Sequence, residues 1–200
     1  NNLGHYDLIT ENGQDFIILY MSWDIYTNEI NWMNKVLKKY PNRKAIIALH
    51  RYTRGSEKAN TPITDYAGKL IQTNVVAKNP NVIAVLNGHY SGASMNVMGF
   101  DDDKDGVKER TVYEICTDYQ SNDQGGAEYV KLLYFDLKNN KIYVNSYSPY
   151  KKDFNYYDNP KLENYNQGTV VYKQDIVELN YNYVDKKQSL ITNSINGFVE

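Results

Sequence analysis

The sequence predicts an α/β protein whose second half is rich in antiparallel strands. Three observations carry this. Two continuous apolar runs, "KAIIALH" and "VIAVLNGH", read as strands buried on both faces of a parallel sheet. A stretch of helical periodicity precedes each run. Beyond His89 the texture changes to strand-like runs separated by short polar turns.

The elements follow in order. "HYDLIT" and "DFIILYM" are short strand-like runs joined by Glu11-Asn12-Gly13-Gln14, and Asn-Gly there signals a hairpin. Thr27 can cap a helix in which Ile30, Met33, Val36, Leu37 and Tyr40 share one face, and Pro41 closes it. "KAIIALH" is the first buried strand. A polar loop with Gly55 and Pro62 leads to a second helix, with Ala67, Leu70, Ile71 and Val75 at helical spacing. Asn79-Pro80-Asn81 breaks it before "VIAVLNGH". "ASMNVMGF", "RTVYEICTDY", "YVKLLYFDL" and "KIYVNSYSPY" are the later strands, the last two joined by a tight turn at Lys138-Asn139-Asn140. Lys151 to Gln167 reads as a surface excursion, and "DIVELNYNYV" as a final strand.

Composition narrows the functional classes. With 200 residues the chain can bury a real core, as one domain or a large part of one. A net charge of -2 makes no electrostatic case for nucleic acid or an anionic membrane. No apolar run has the length of a membrane span, and the first residues do not read as a signal peptide. The single cysteine, Cys116, rules out an internal disulfide and a Cys-rich zinc site. It lies in an alternating run, which favours a buried thiol over a nucleophile.

Chemistry enters at the strand ends. Strand–helix–strand units with continuous apolar strands cross over right-handed into parallel pairs, and open α/β sheets bind ligands beyond the carboxyl ends of their strands. His50 ends the first buried strand and His89 the second, so both imidazoles are expected at one sheet edge. Gly88 is expected to let the backbone turn sharply and to keep space beside His89. Imidazole is the commonest metal ligand. Each histidine also suits a hydrogen-bonded strand-to-loop turn. His5 reads as surface.

The stretches "AIIALH", "LNGHYSG" and "RTVYEICTDYQSNDQGGAEYVKLLYFDLKNNKIYVNSYSPY" resemble the C-terminal half of calcineurin-like metallophosphoesterases, in particular the secreted or cell-surface type of Gram-positive bacteria. The resemblance runs from about Tyr6 to about Asp158. It implies a two-sheet αβ sandwich around a dinuclear centre of iron, manganese or zinc, whose bridging hydroxide attacks a phosphate ester. Its ligand blocks are Asp-x-His, Gly-Asp-x-x-Asp, Gly-Asn-His, a lone His and Gly-His-x-His. By resemblance His50 is the lone His and His89 the first His of the last block, both serving one metal. Residues 1–150 would be the C-terminal part of such a domain, with 151–200 packed on it. The loop at Asp118-Tyr119-Gln120 and Gly125-Gly126 would lie near the active-site face. An extracellular or cell-surface location follows by resemblance.

Two departures qualify this expectation. The first three ligand blocks do not occur in the chain, so it is expected to begin partway through the domain and to need an N-terminal half as partner. Ser91 stands where the last histidine would be, and a hydroxyl is a weaker donor to a divalent cation than an imidazole nitrogen. The second metal site is expected to be impaired.

Asp101-Asp102-Asp103-Lys104-Asp105-Gly106-Val107-Lys108-Glu109 reads D-x-D-x-D-G-x-x-E. Alternate carboxylates with glycine sixth suit a calcium loop, drawing on Asp101, Asp103, Asp105, Val107 and Glu109. The twelfth position is Val112, so it is not an EF-hand, and a solvated acidic turn is the other reading. Arg51 and Arg54 could reach a substrate phosphate, or sit in a solvated loop. Two functions remain: part of a phosphoesterase acting on phosphomono- or diesters, inactive alone, or a degenerate, calcium-stabilised surface or binding module.

Overall fold

The computed structural model describes residues 3–54, 63–90, 92–120, 123–136 and 141–154. It opens with the expected hairpin. β1 (Gly4–Glu11) and β2 (Gln14–Met21) pair antiparallel, with Glu11 opposite Gln14. The connecting Asn12 and Gly13 have φ of 48° and 77°, the paired left-handed geometry that Asn-Gly suits. α1 (Thr27–Lys39) buries Met33, Val36 and Leu37, while Ile30 and Tyr40 pack at the margin. Thr27 is its first helical residue rather than its cap. Tyr26 holds the cap position, and its backbone N–H donates to Glu29 Oε2 at 2.9 Å.

β3 (Lys44–Leu49) follows, then a short ribbon of β4 (Thr53–Arg54) and β5 (Ile63–Thr64). α2 (Tyr66–Asn74) buries Ile71, but Leu70 is 37% exposed, against expectation. The helix instead approaches the core through Gly68. A Cβ there would fall 2.0 Å from the Tyr52 carbonyl oxygen, so only glycine permits this packing. A single 3-10 turn (Val76–Lys78) leads to β6 (Val82–Asn87). β7 (Gly92–Phe100) and β8 (Arg110–Asp118) form the next antiparallel pair. β9 (Val130–Asp136) and β10 (Lys141–Ser148) form another, with Asp136 opposite Lys141. The turn at Lys138-Asn139-Asn140 lies outside the described residues, as does the expected strand "DIVELNYNYV". The start of the expected surface excursion is instead paired: β11 (Asp153–Phe154) adds to β10.

The result is a mixed α/β sandwich. The larger sheet has the order β1-β2-β3-β6-β8-β7, and the smaller β11-β10-β9. β2, β3, β6 and β8 run parallel. One face of the larger sheet, with Ile17, Leu19, Ile47, Leu49 and Val85, packs on Met33, Val36 and Leu37 of α1 and Ile71 of α2. The other face, with Ile46, Ala84, Tyr113 and Ile115, packs on Ile142 and Val144 of the smaller sheet. Burying each of these Leu, Ile, Val and Met side chains contributes about 1.5–3 kcal/mol.

One irregularity sets the register at the centre. Between Ala45 and Ile46 the β3–β6 pairing shifts, so that Ala45 faces Val82 but Ile46 faces Ala84. A bulge of this kind moves every later residue by one and changes the face it presents. Leu49 is thereby set opposite Asn87, and the Gly88 N–H donates to the His50 carbonyl at 3.1 Å.

Candidate metal centre

The carboxyl ends of the four parallel strands present Trp23 and Asp24 after β2, His50 and Arg51 after β3, His89 and Tyr90 after β6, and Asp118 at the end of β8. His50 and His89 meet there as expected. His50 Nε2 and His89 Nδ1 are 3.0 Å apart, with ring centroids at 4.8 Å. Burial pushes the His50 imidazole below its ordinary pKa, and the neighbouring His89 adds to this, while Asp118 and Asp24 oppose it. Neutral imidazole is the form that binds metal.

The sharp turn is made by His89 rather than by Gly88. His89 has φ of 71°, a left-handed conformation in which histidine is several-fold enriched among non-glycine residues. Gly88 serves packing: a Cβ would lie 3.2 Å from the Thr117 carbonyl oxygen.

Asn87 ties the two histidine loops together. Its Oδ1 accepts from the Thr53 N–H at 3.3 Å and the Thr53 hydroxyl at 3.0 Å. Its Nδ2 donates to the Thr53 carbonyl at 2.8 Å and the Gly88 carbonyl at 3.1 Å. A buried side chain thus stands in for a strand pairing. Beneath it lies a second anchor. Glu114, fully buried, accepts from Tyr52 Oη at 2.7 Å, Gln72 Nε2 at 2.7 Å and Asn96 Nδ2 at 2.8 Å. Burial and the Glu114 carboxylate push the Tyr52 phenol well above its usual range. The loop after His50 is therefore held from β6, β8 and α2.

Neither Asn87, Glu114 nor Trp23 stood out in the sequence. The strand-end argument that found the histidines, applied to β2, would have found Trp23. The Trp23 ring lies over His50 with centroids at 3.8 Å and meets His89 edge-on at 5.1 Å. Tyr90 closes the other flank at 4.7 Å from His89, its hydroxyl donating to Asp65 at 2.9 Å.

The two arginines differ in their surroundings. Arg51 lies between Asp24 at 3.8 Å and Asp65 at 3.6 Å, so its charge is already engaged. Arg54 is exposed, its guanidinium 6.0 Å from the Tyr90 ring. Ser91 lies outside the described residues. Cys116 is buried, and its thiol is pushed up to about 12 mainly by burial, as a structural cysteine rather than a nucleophile. His5 is exposed and stacks on Tyr20 at 4.6 Å. Gly125 and Gly126, with φ of 70° and 98°, serve a tight turn against Tyr119.

The acidic loop joins β7 to β8. One ligand atom each of Asp101, Asp103, Asp105 and Glu109 lies within 4.8 Å of the others. Asp101 accepts from the Lys104, Asp105 and Gly106 amides, and Glu109 Oε2 from the Asp102 amide, so the carboxylates are organised by the turn itself. Val107 is exposed, and its amide donates to Asp105 at 2.8 Å. Asp102 turns away to Arg110, which it meets through two bonds of 2.7 Å and which holds its carboxyl below the ordinary carboxylate range. Arg110 continues to the Val82 and Val76 carbonyls, fastening the loop to the core.

No family model matches the chain. It is 49% identical over 158 residues to the uncharacterized protein YvnB of Bacillus subtilis (strain 168). The match covers 79% of the chain and 12% of that relative, so the chain spans about an eighth of the relative's length. Among the described residues no helix is long and apolar enough to cross a membrane.

Proposed function

We propose that this chain forms the C-terminal portion of a metal-dependent phosphoesterase domain, a two-sheet sandwich of the metallophosphoesterase type that hydrolyses phosphomono- or diesters. In this reading His50 and His89 hold one divalent iron, manganese or zinc. The observation that carries it is the 3.0 Å separation of His50 Nε2 and His89 Nδ1 at the ends of adjacent parallel strands. Two nitrogens bound to one metal at about 2.1 Å lie about 3 Å apart at the right angles of an octahedron and about 3.4 Å apart in a tetrahedron, so the pair suits a metal with little movement. The donor set is incomplete, because catalytic centres take three or more protein ligands and a water. The remaining ligands belong to an N-terminal half of the domain. The bound metal would supply charge to a phosphoryl oxygen and acidity to a water. The chain's own residues fix the two imidazoles in place, and burial favours the neutral form of His50.

The acidic loop favours a second reading, a non-catalytic module stabilised by calcium. Four carboxylates close on one point there, and such a cluster repels itself unless a cation neutralises it. Extracellular or cell-surface placement fits either reading. Metal content and phosphatase activity, measured on the chain and on a longer protein that contains it, separate the two. The phosphoesterase reading expects an inactive chain, and a longer protein with about one transition metal whose activity is lost in His89→Ala. Absence of both metal and turnover in the longer protein supports the module.

A further inference from the structure

We propose that this site takes phosphate esters whose organic group carries a planar aromatic ring, and that Trp23 is the surface on which that ring stacks. The inference rests on the phosphoesterase reading for the phosphate, and on the geometry of Trp23 for the ring.

Trp23 reaches the site from the end of β2, beside the two histidine-bearing strand ends. One side of its ring system is committed, at 3.8 Å and 31° to His50. The residue is nonetheless 51% exposed, and it belongs to neither apolar core cluster. An indole carries a large apolar surface and stacks on other rings at centroid distances of about 4.5–7 Å. The exposed half of the indole is what remains beyond the His50 contact, on a ring that lies within 5.1 Å of both imidazoles. A group entering the space next to His50 Nε2 and His89 Nδ1 therefore meets Trp23 as it arrives.

The opposite flank is built differently. Tyr90 stands edge-on to His89 at 4.7 Å, and its hydroxyl is spent on Asp65. It is a fixed wall, whereas Trp23 is half exposed. Arg54 beside Tyr90 adds an exposed guanidinium on this flank. A half-exposed aromatic surface, a fixed wall and an exposed guanidinium beside that wall match an ester with an anionic end and a planar end. A sugar or alkyl phosphate would gain less from the indole than a stacked planar ring does. The ring can be bonded to the phosphate oxygen, as in an aryl ester, or set off by a sugar, as in a nucleotide.

Binding tests the ring directly. Trp32→Phe leaves Trp23 as the only tryptophan. The fluorescence of this variant, with manganese present, is titrated with adenosine monophosphate, phenyl phosphate, ribose 5-phosphate and adenosine. At least one of the two ring-bearing esters should quench saturably at a concentration at least tenfold below ribose 5-phosphate. Which of them does so distinguishes a nucleotide from an aryl ester. Equal response to ring-bearing and ringless esters, or no quenching by any ring, overturns the inference. If adenosine quenches as well as its monophosphate, Trp23 is a ring platform but the phosphate is not being read here. That outcome overturns the proposed substrate.

Turnover gives the second arm, in the longer protein. The ratio of kcat/KM for the preferred ring-bearing ester over ribose 5-phosphate should fall at least tenfold in Trp23→Leu, through KM. Trp23→Phe should keep it. Equal losses for both esters would assign Trp23 a structural role and reject the inference. Quenching without turnover would reject hydrolysis alone, and turnover without ring preference would reject the stacking role alone.

Discussion

Replacing Asn87 by alanine removes the acceptor shared by the Thr53 N–H and hydroxyl, and the donor to the Thr53 carbonyl. These groups are buried, so the loss should lower stability by about 1–3 kcal/mol, seen as a lower urea midpoint at unchanged slope. Asn87→Asp should fall in the same range despite keeping the acceptor, because an oxygen then faces the Thr53 carbonyl at the 2.8 Å now spanned by a donor. Cys116 offers a pH test. Its folded thiol is pushed up to about 12, against about 9 when unfolded. Between those values the folded state holds a proton that the unfolded state has lost, so stability falls as pH rises above about 9. Cys116→Ala should flatten that slope. At pH 8 a thiol reagent should label the wild type only as fast as it unfolds; rapid labelling would contradict the burial.

At the scale of elements, the acidic loop makes the sharpest prediction. If it binds calcium, the ion should raise the melting temperature. A ligand bound only by the folded state adds about 2.7 kcal/mol at a hundredfold excess over its dissociation constant. Asp103→Ala combined with Asp105→Ala should abolish the shift, and an equal shift in that variant would reject the site. The loop, the Asn-Gly hairpin and the two buried strands were all legible in the sequence, because each is written in local spacing or turn chemistry. The position of the histidines followed from strand ends alone. What was not legible depends on pairing between distant segments. The register shift at Ala45 and Ile46 is a property of β3 and β6 together. The contact of Gly68 with Tyr52 displaced Leu70 from the expected helix face. The cap at Tyr26 could not be read from propensity, which favours Thr27.

Across the whole molecule, Glu114 joins several separate parts, since its partners come from α2, β7 and the loop after β3. All three neighbours donate to it, so a carboxylate is satisfied and an amide is not. Glu114→Gln turns one of these contacts donor against donor and should cost about 1–3 kcal/mol. Tyr52→Phe in that background should cost less than it does alone, because the lost partner is shared. The order of the larger sheet also has a consequence in time. β3 and β6 occupy its two middle places, while β1 and β7 form its rims. Rims fray in local openings, whereas central strands exchange their amide hydrogens mainly through near-global opening. In deuterated water the β1 and β7 amides should therefore exchange early and those of Ile47 and Val85 last. The two imidazoles hang from the slowest-exchanging strands, so fluctuations at the margins of the sheet leave their spacing undisturbed.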